Sequence, residues 1–598
     1  MPPKEAASPR EKGKPAWAPL ACVVLGSALQ LHGWRGRWIP HDEGTLAGSA
    51  KRILEGQLPH RDYDEVYSGG LAYLHAGAMD LWGENLSVLR LVLILPALLF
   101  FAPTLYVLAR SFARPWPAAA CALAAFAWGV PNYPAALPSW FNLMLLTAAL
   151  ACLLRAEQDQ RPAPWRIGAG FCIGLSIAIK IAGLYGLAAA LIITALQEQD
   201  RSKKRDNARQ ASLLWFHLLS WLLLMVLLLA LVNRRLGSSE FAFFVLPPLA
   251  AAGLVLQGER SACGSLAERF LALARACAAL LLGVMLGLAP LLWTFLQAGA
   301  LGDLWRGLFV LPSARLEYAA WPPPELGQLI WAVPWAVLIS CGSKLPRRLQ
   351  TLCWLGACAC LPVGFQQAVY SGVWKSVRAL PILLVIASLL RPRENHAVWR
   401  SFAVAVAFCA LIQFPFSTPL YFSYVAPLVV LLAAGLLSSS GPQLASLGLG
   451  FAILFPTLWF HTGTLADFGW GYFRQTKLRP LDLSRGSLQV PPGEAELYSK
   501  ILARLDMARP GPVFAGPDSP ELAFLSGRSD ATQGPFAFFG EDASEIQRLE
   551  GVELAAAIIH TKPPFSPPYS AALQSYLGGR FSDWQQIGPF LVGIIQDQ

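Results

Sequence analysis

Apolar runs of membrane-crossing length recur along the chain from about residue 16 to about residue 460 and then stop. They predict spans near 16–34, 87–110, 116–131, 138–155, 167–181, 183–197, 211–232, 241–257, 276–295, 326–341, 350–364, 379–391, 399–415, 422–438 and 443–460. Most connections are tight, but residues 35–86, 296–325 and 365–378 are long enough to hold structure of their own. In the first of these, TLAGSAKRILEG and GGLAYLHAGAMDLWG place apolar residues at helical spacing. This predicts two short helices lying at the membrane surface, with acidic residues at their starts and in the turn between them. From about Gly471 the pattern changes: PVFAG and AAAIIH read as strands, SPELAFLSG and SAALQSYLG as helices, and WQQIGPFLVGII as a closing strand. The expected architecture is therefore an α-helical polytopic membrane protein of about 11–15 transmembrane helices. A tail over 1–15 precedes a membrane domain over 16–460, and a small extracytoplasmic α/β domain follows over 471–598.

Composition agrees: 55% of the 598 residues are hydrophobic and only 14% charged, far below the charge of soluble domains. The net charge of +10 does not point to nucleic acid, because the basic residues form short clusters between apolar runs and no binding stripe. Those clusters fall on alternate loops: Arg110 and Arg114; Arg155, Arg161 and Arg166; RSKKRDNAR from Arg201; Arg260, Arg269 and Arg275; Lys344, Arg347 and Arg348; Arg391, Arg393 and Arg400. With Lys4, Arg10, Lys12 and Lys14 ahead of a retained signal anchor, the bias puts the N-terminus inside the cytoplasmic (inner) membrane. Loop 35–86 and the C-terminal domain then lie outside. None of the 11 Cys falls in either of those regions, and no disulfide framework or CxxC metal set is implied.

Loop 35–86 carries the most concentrated chemistry. Asp42, Glu43, Asp62, Asp64 and Glu65 stand there among His41, His60, Lys51, Arg52 and Arg61. A carboxylate held beside a hydroxyl can take its proton, and a low-dielectric surface tunes it for that work. Asp42 is the candidate base. The competing reading is that Asp42 or Glu43 caps a helix beginning near Thr45. His32, His41, His60 and His75 also gather in or beside this loop, but without HxxxH or HExxH spacing. No metal or other cofactor is assigned, a divalent ion being the minor alternative.

The succession of a first span, HDEG, a helix ending LEGQLPHRDYDE and an aromatic-rich helix ending LWGENLSVLRL resembles the opening of GT-C glycosyltransferases. The likeness is to the bacterial glycosyltransferase 39 group, which includes protein O-mannosyltransferases and the lipid A aminoarabinose transferase. It is best over the first 110 or so residues; IGLSIAIKIAGLYG, PLYFSYVAPLVVL and AGPDSPELAFLSGR extend it more loosely. The resemblance implies transfer of a sugar from a polyprenyl-phosphate carrier to a lipid, protein or glycan hydroxyl on the outer face. It makes Asp42 the base with Glu43 beside it, and gives the acceptor-positioning role to a second acid, Asp62 or Asp64, with Glu65 also in range. Relatives have a proline-containing turn after that acid, where this chain has YSGGL.

A lipid-phosphate sugar is already activated, so the reaction needs a base and cations for the departing phosphate but no nucleotide loop. Outer cations run against the topological bias. Lys180, Arg306, Arg315, Lys375 and Arg378 are the candidates, with headgroup snorkelling as the competing reading; Lys375 and Arg378, three apart, would share a helix face. Tyr421 and Tyr424, with Trp305 and Trp374, are candidates to flank lipid or sugar, or belong to the interfacial aromatic belt. The alternative function is a transporter or flippase of a lipid-linked or polar solute, which would place charges within spans and show two similar halves. The acids here sit in one loop, and the halves are dissimilar.

Overall fold

The computed structural model describes residues 17–36, 38–203, 212–313, 320–341, 367–390, 396–437, 478–539 and 542–595, with isolated positions between 346 and 355. The membrane part is a bundle of helices: α1 (Trp17–Gln30), α2 (Pro40–Leu54), α3 (Gly70–Trp82), α4 (Leu86–Arg110), α5 (Pro115–Ala127), α6 (Pro138–Gln158), α7 (Ala163–Ile179), α8 (Gly183–Ser202), α9 (Leu214–Val232), α10 (Ser238–Glu259) and α11 (Leu266–Gln297). After these come the short α12 (Leu301–Trp305), α13 (Leu329–Cys341), α14 (Gln367–Leu390), α15 (His396–Cys409), the short α16 (Pro419–Ser423) and α17 (Ala426–Leu437). Among the described residues, five helices are at least 18 residues long and apolar enough to cross a membrane, namely α4, α6, the helix of Leu214–Arg235, α10 and α11. The α9 helix leaves Leu219, Leu223, Val226 and Leu227 exposed, a surface stable only against lipid. The protein is an integral, polytopic, α-helical membrane protein.

Backbones approach most closely between α7 and α11. Gly170 and Gly174 face the carbonyls of Leu280 and Val284, while Gly283 and Gly287 face those of Ile167 and Phe171. Small residues four apart on both partners let the two helices touch backbone to backbone where lipid supplies no hydrophobic drive. Elsewhere the predicted spans shift. The helix expected over 379–391 begins at Gln367, so the supposed loop 365–378 is helical from that residue on. The span expected over 116–131 ends at Ala127. The spans expected at 350–364 and 443–460 lie outside the described residues, apart from isolated positions in the former.

The C-terminal domain holds a four-stranded sheet in the order β3 (Val513–Gly516), β4 (Ala556–His560), β6 (Phe590–Ile594), β5 (Asp583–Ile587), with β3 and β4 parallel and the other pairs antiparallel. A two-residue ladder of β1 (Arg479–Pro480) and β2 (Gln489–Val490) precedes it. Helices α18 (Pro492–Asp506), α19 (Pro520–Ser526), α20 (Asp542–Glu550) and α21 (Ala571–Arg580) complete the domain. The single closing strand read from WQQIGPFLVGII is in fact the hairpin β5–β6, because Gly588 at φ +60 and Pro589 reverse the chain between the strands.

This domain is clamped onto α2. Arg52 pairs with Asp530 at 2.9 Å and donates to the Thr532 carbonyl at 2.7 Å. Lys51 donates to the Arg528 carbonyl, and the amide of Asp64 donates to the Gln533 carbonyl at 2.8 Å. Gly44 lies so close to the start of α19 that a Cβ would stand 2.3 Å from the Glu521 amide nitrogen.

Candidate active site

Helix α2 starts at Pro40, a residue whose fixed φ suits the first helical position. It starts five residues before Thr45, so Ile39 occupies the cap position and neither Asp42 nor Glu43 caps the helix through its own backbone position. Both lie in the first turn, where the helix dipole favours negative charge. Successive residues on a helix point about 100° apart, and here the two acids part company.

Asp42 is about one-fifth exposed and accepts a hydrogen bond from the Tyr133 hydroxyl. Its other oxygen lies 3.7 Å from His41 Nε2, and the His41 ring packs on Phe565 of the C-terminal domain at 4.6 Å. Tyr133 sits in the loop between α5 and α6, its carbonyl accepting from Trp140 Nε1 at 2.9 Å. Burial, reinforced by the Asp42 charge, holds the Tyr133 phenol well above its usual pKa, so this hydroxyl keeps its proton and acts as a donor. Tyr133→Phe is expected to lower activity about ten- to a hundredfold, the worth of one hydrogen bond to a charged group, with the unfolding temperature nearly unchanged. Steady-state turnover and thermal unfolding of the two proteins, measured side by side, check this.

From Tyr133 an aromatic wall leads to a cation. Tyr133 is joined to Tyr424 through Trp140, whose Nε1 donates to the Tyr133 carbonyl at 2.9 Å. Tyr424 packs edge-on to Trp140 at 4.5 Å and to Tyr421 at 5.5 Å. The Lys180 ammonium stands 5.5 Å from the Tyr421 ring centre and 5.8 Å from that of Tyr67, and donates to Ser139 Oγ at 2.8 Å. Both rings supply cation–π attraction. Lys180 holds an extended conformation immediately after α7, a break that lets its side chain reach this wall. The structure therefore brings together Asp42, Lys180, Tyr421 and Tyr424 and adds Tyr133 and Tyr67.

The remaining candidates lie elsewhere. Glu43, expected beside Asp42 at the site, is instead fully buried against Arg90, with Nε–Oε1 at 2.6 Å and Nη2–Oε2 at 2.8 Å. It also accepts from the Ile39 amide at 3.0 Å. This is a structural ion pair that holds α2 on α4, and the carboxylate has no face left for a substrate. Asp62 is tied to its own turn, accepting from Arg61 at 2.8 and 2.7 Å and from the Leu58 amide at 2.7 Å; Arg61 holds its carboxyl below the usual range. Asp64 is buried, and burial raises its pKa against the opposing influence of Arg306. Glu65 is also buried and raised by burial, and its Oε1 accepts from the amide of Tyr67 at 3.1 Å, the residue that covers Lys180. Of the three, Glu65 is the one whose carboxylate holds a residue of the Lys180 wall.

Arg306 is exposed on the turn after α12, and Arg315 lies outside the described residues. Lys375 is exposed on α14, whereas Arg378, one turn on, is half-buried and donates to the Ser417 carbonyl and, at 3.3 Å, its hydroxyl. The two cations thus serve different surroundings: Arg378 steadies the segment that leads into α16, the helix of Tyr421. His60 and His75 are buried, and burial lowers their pKa to about 4 and about 3, leaving both neutral near pH 7. Among the described residues no three His, Cys, Asp or Glu side chains gather as a metal site.

Behind α2, Glu521 is fully buried at the start of α19, with Oε1 accepting from the Tyr498 hydroxyl at 2.8 Å. Burial pushes its pKa up to about 7, well above the usual carboxylate range. A carboxyl raised on folding stabilises the folded protein fully below the unfolded pKa, and that contribution disappears as pH rises through the folded value. The contact between α2 and α19 is therefore expected to weaken between about pH 4.5 and pH 7, by up to about 3 kcal/mol. Glu521→Gln should flatten this slope, as thermal unfolding scanned from pH 5 to pH 8.5 would show.

No family model matches the sequence, and no curated protein matches it. Among solved structures the chain is similar to the apo oligosaccharyltransferase of Archaeoglobus fulgidus, at 14% identity and TM-score 0.40 over 92% of this chain and 70% of that one. It is also similar to the archaeal oligosaccharyltransferase AglB from Archaeoglobus fulgidus in complex with an inhibitory peptide and a dolichol-phosphate, at 13% identity and TM-score 0.39 over 91% and 69%. ArnT from Cupriavidus metallidurans bound to undecaprenyl phosphate gives 13% identity and TM-score 0.37 over 96% and 97%. All three TM-scores fall below 0.5, and the functional reading therefore rests on the side chains.

Proposed function

We propose that the protein is a membrane glycosyltransferase of the GT-C type that moves a sugar from a polyprenyl-phosphate donor to an acceptor hydroxyl at the outer face of the cytoplasmic membrane. The observation that carries this reading is one carboxylate and one ammonium at opposite ends of a single aromatic wall: Asp42 held by Tyr133, and Lys180 over Tyr421. Asp42 takes the proton of the acceptor hydroxyl as its oxygen bonds to the anomeric carbon. The bond from that carbon to the phosphate oxygen breaks, and Lys180 neutralises the departing lipid phosphate as a point charge. With a single base and no covalent intermediate, the sugar inverts at its anomeric carbon. Tyr421 and Tyr424 offer flat faces for the sugar or the first isoprene units. The acceptor, whether lipid, protein or glycan, enters beneath the C-terminal domain, which covers α2 through Phe565 and the clamp at Arg52.

The reading is tested with the purified full-length protein and a panel of short-chain polyprenyl-phosphate sugars, scoring lipid phosphate released and glycosylated acceptor formed. Release without transfer to any acceptor, or transport of the donor across a vesicle with no bond broken, overturns it. Lys180→Met is expected to lower kcat/KM by about ten- to a hundredfold, with partial recovery in Lys180→Arg. A chelator added to the same assay should leave the rate unchanged, since the phosphate is met by Lys180.

A further inference from the structure

Between β4 and α21 the chain reads TKPPFSPPY over 561–569. Four prolines in nine residues fix φ at four places and stiffen the loop. Its PPFSPP core has two backbone N–H groups, those of Phe565 and Ser566, and both donate to one carboxylate oxygen, Asp518 Oδ2, at 2.7 and 2.8 Å. The Ser566 hydroxyl donates to Oδ1 of the same residue at 2.5 Å and accepts from the Ala537 amide at 3.1 Å. Asp518 is itself buried, sits at φ +58 just before α19, and donates its amide to the Pro535 carbonyl at 3.0 Å. A left-handed conformation costs a non-glycine residue energy and persists where the surroundings fix it. Asp518 thus ties the loop to the segment at 535–537 and to the start of α19, the helix that meets α2 at Gly44. The ends of the loop are held as well. Thr561 donates from its amide and its hydroxyl to the Pro589 carbonyl, each at 2.9 Å, and the Tyr569 ring packs on Phe514 at 5.5 Å.

What this stiff loop presents is one ring. Phe565 is half-buried and packs on His41 at 4.6 Å, and His41 Nε2 stands 3.7 Å from Asp42 Oδ1. A ring kept for the core of its own domain would join Phe514 and Tyr569; Phe565 is turned instead to the border with the membrane domain, beside a carboxylate that is one-fifth exposed. We propose that Phe565 is an acceptor-positioning residue that keeps bulk water from Asp42, and that Asp518 is the residue that holds it there. The inference rests on Asp42 being the base of the transfer reaction. Water at the outer face competes with the acceptor for that base. Asp42 takes a proton from water, the water oxygen bonds to the anomeric carbon, the bond from that carbon to the phosphate oxygen breaks, and free sugar and lipid phosphate leave. A ring fixed beside the base disfavours this side reaction by excluding water from it.

The experiment takes two readings on the full-length protein in detergent. In the first, a water-soluble carbodiimide with glycine ethyl ester labels accessible carboxylates, and mass spectrometry compares Asp42 with Asp506, exposed at the end of α18. Phe565→Ala should raise labelling of Asp42 about two- to tenfold, the worth of one aromatic contact, and Phe565→Tyr should leave it unchanged. In the second, the panel of short-chain polyprenyl-phosphate sugars is incubated without acceptor and free sugar is scored. Phe565→Ala should release it about two- to tenfold faster than the parent protein, and the gain should vanish when Asp42→Asn is added. Asp518→Ala, which unties both amides, should move both readings in the same direction; should it fold poorly, the half-buried Phe565 decides. Met507→Ala, at an exposed apolar side chain of the same domain, should change neither. Unchanged labelling or unchanged hydrolysis in Phe565→Ala, a gain that survives Asp42→Asn, or an equal change in Met507→Ala overturns the proposal. A parent protein that glycosylates no acceptor overturns the transfer reading instead, and the labelling then decides whether Phe565 covers Asp42.

Discussion

Asp42→Asn is expected to lower glycosyl transfer roughly 100- to 10,000-fold while leaving the protein folded, the range that loss of a positioned general base produces. The substitution keeps the shape of the side chain, and the amide oxygen can still accept from the Tyr133 hydroxyl that holds Asp42. What it removes is the capacity to take a proton. The competing role for Asp42 is stabilisation of the first turn of α2 through the helix dipole, worth about 0.3–1 kcal/mol at a partly exposed position. The two roles separate cleanly. A dipole role predicts a small fall in unfolding temperature and an unchanged rate; a base role predicts the reverse. Single-turnover transfer with saturating donor, combined with thermal unfolding in the same detergent, decides between them. A folded variant with full turnover would remove Asp42 from the chemistry and with it the proposed mechanism.

The two surface helices were legible because their apolar residues recur at helical spacing, and the C-terminal strands because β-branched and apolar runs end at Gly and Pro. The start of α2 was read five residues late, because Pro40 looks like a breaker in a sequence and acts as a first-turn residue in the helix. The pairing of Asp42 with Glu43 was misleading for a geometric reason: neighbours on a helix face different surroundings. One met Tyr133 and the other met Arg90. Arg90 stands alone inside LSVLRLVLIL, and a lone cation in an apolar run is itself a sign of a buried partner, but nothing in the sequence says which acid. Tyr133 sits between two prolines in PNYPAALP, where no periodicity exists to assign a face. Lys180 was singled out as a cation at a span end, yet the two rings it meets come from segments more than 100 residues before it and more than 200 after it. Contacts of that separation are set by the packing of the bundle and leave no local trace.

Arg90→Met and Glu43→Gln, each made alone, are expected to destabilise the protein by about 3–5 kcal/mol, because each leaves a charged partner buried without its counter-ion. The pair has no access to water to soften this loss: both side chains are essentially unexposed. Arg90 does more than neutralise Glu43. One guanidinium nitrogen donates to the Gly36 carbonyl at 2.6 Å and also to that of Trp34, so the same side chain gathers the end of α1, the start of α2 and the body of α4. The double variant Glu43→Met with Arg90→Met should recover part of the loss, since two apolar groups can replace a buried pair. Recovery should be incomplete, because the carbonyls of Trp34 and Gly36 lose their donor and unsatisfied buried acceptors cost about 1–3 kcal/mol each. Chemical denaturation in mild detergent measures the coupling directly. Additive single losses would mean that the two side chains do not interact and that α2 is held by the C-terminal clamp alone. A double variant of intermediate stability with turnover reduced less than in Asp42→Asn is the outcome expected of a pair that positions the helix of Asp42 without touching the substrate.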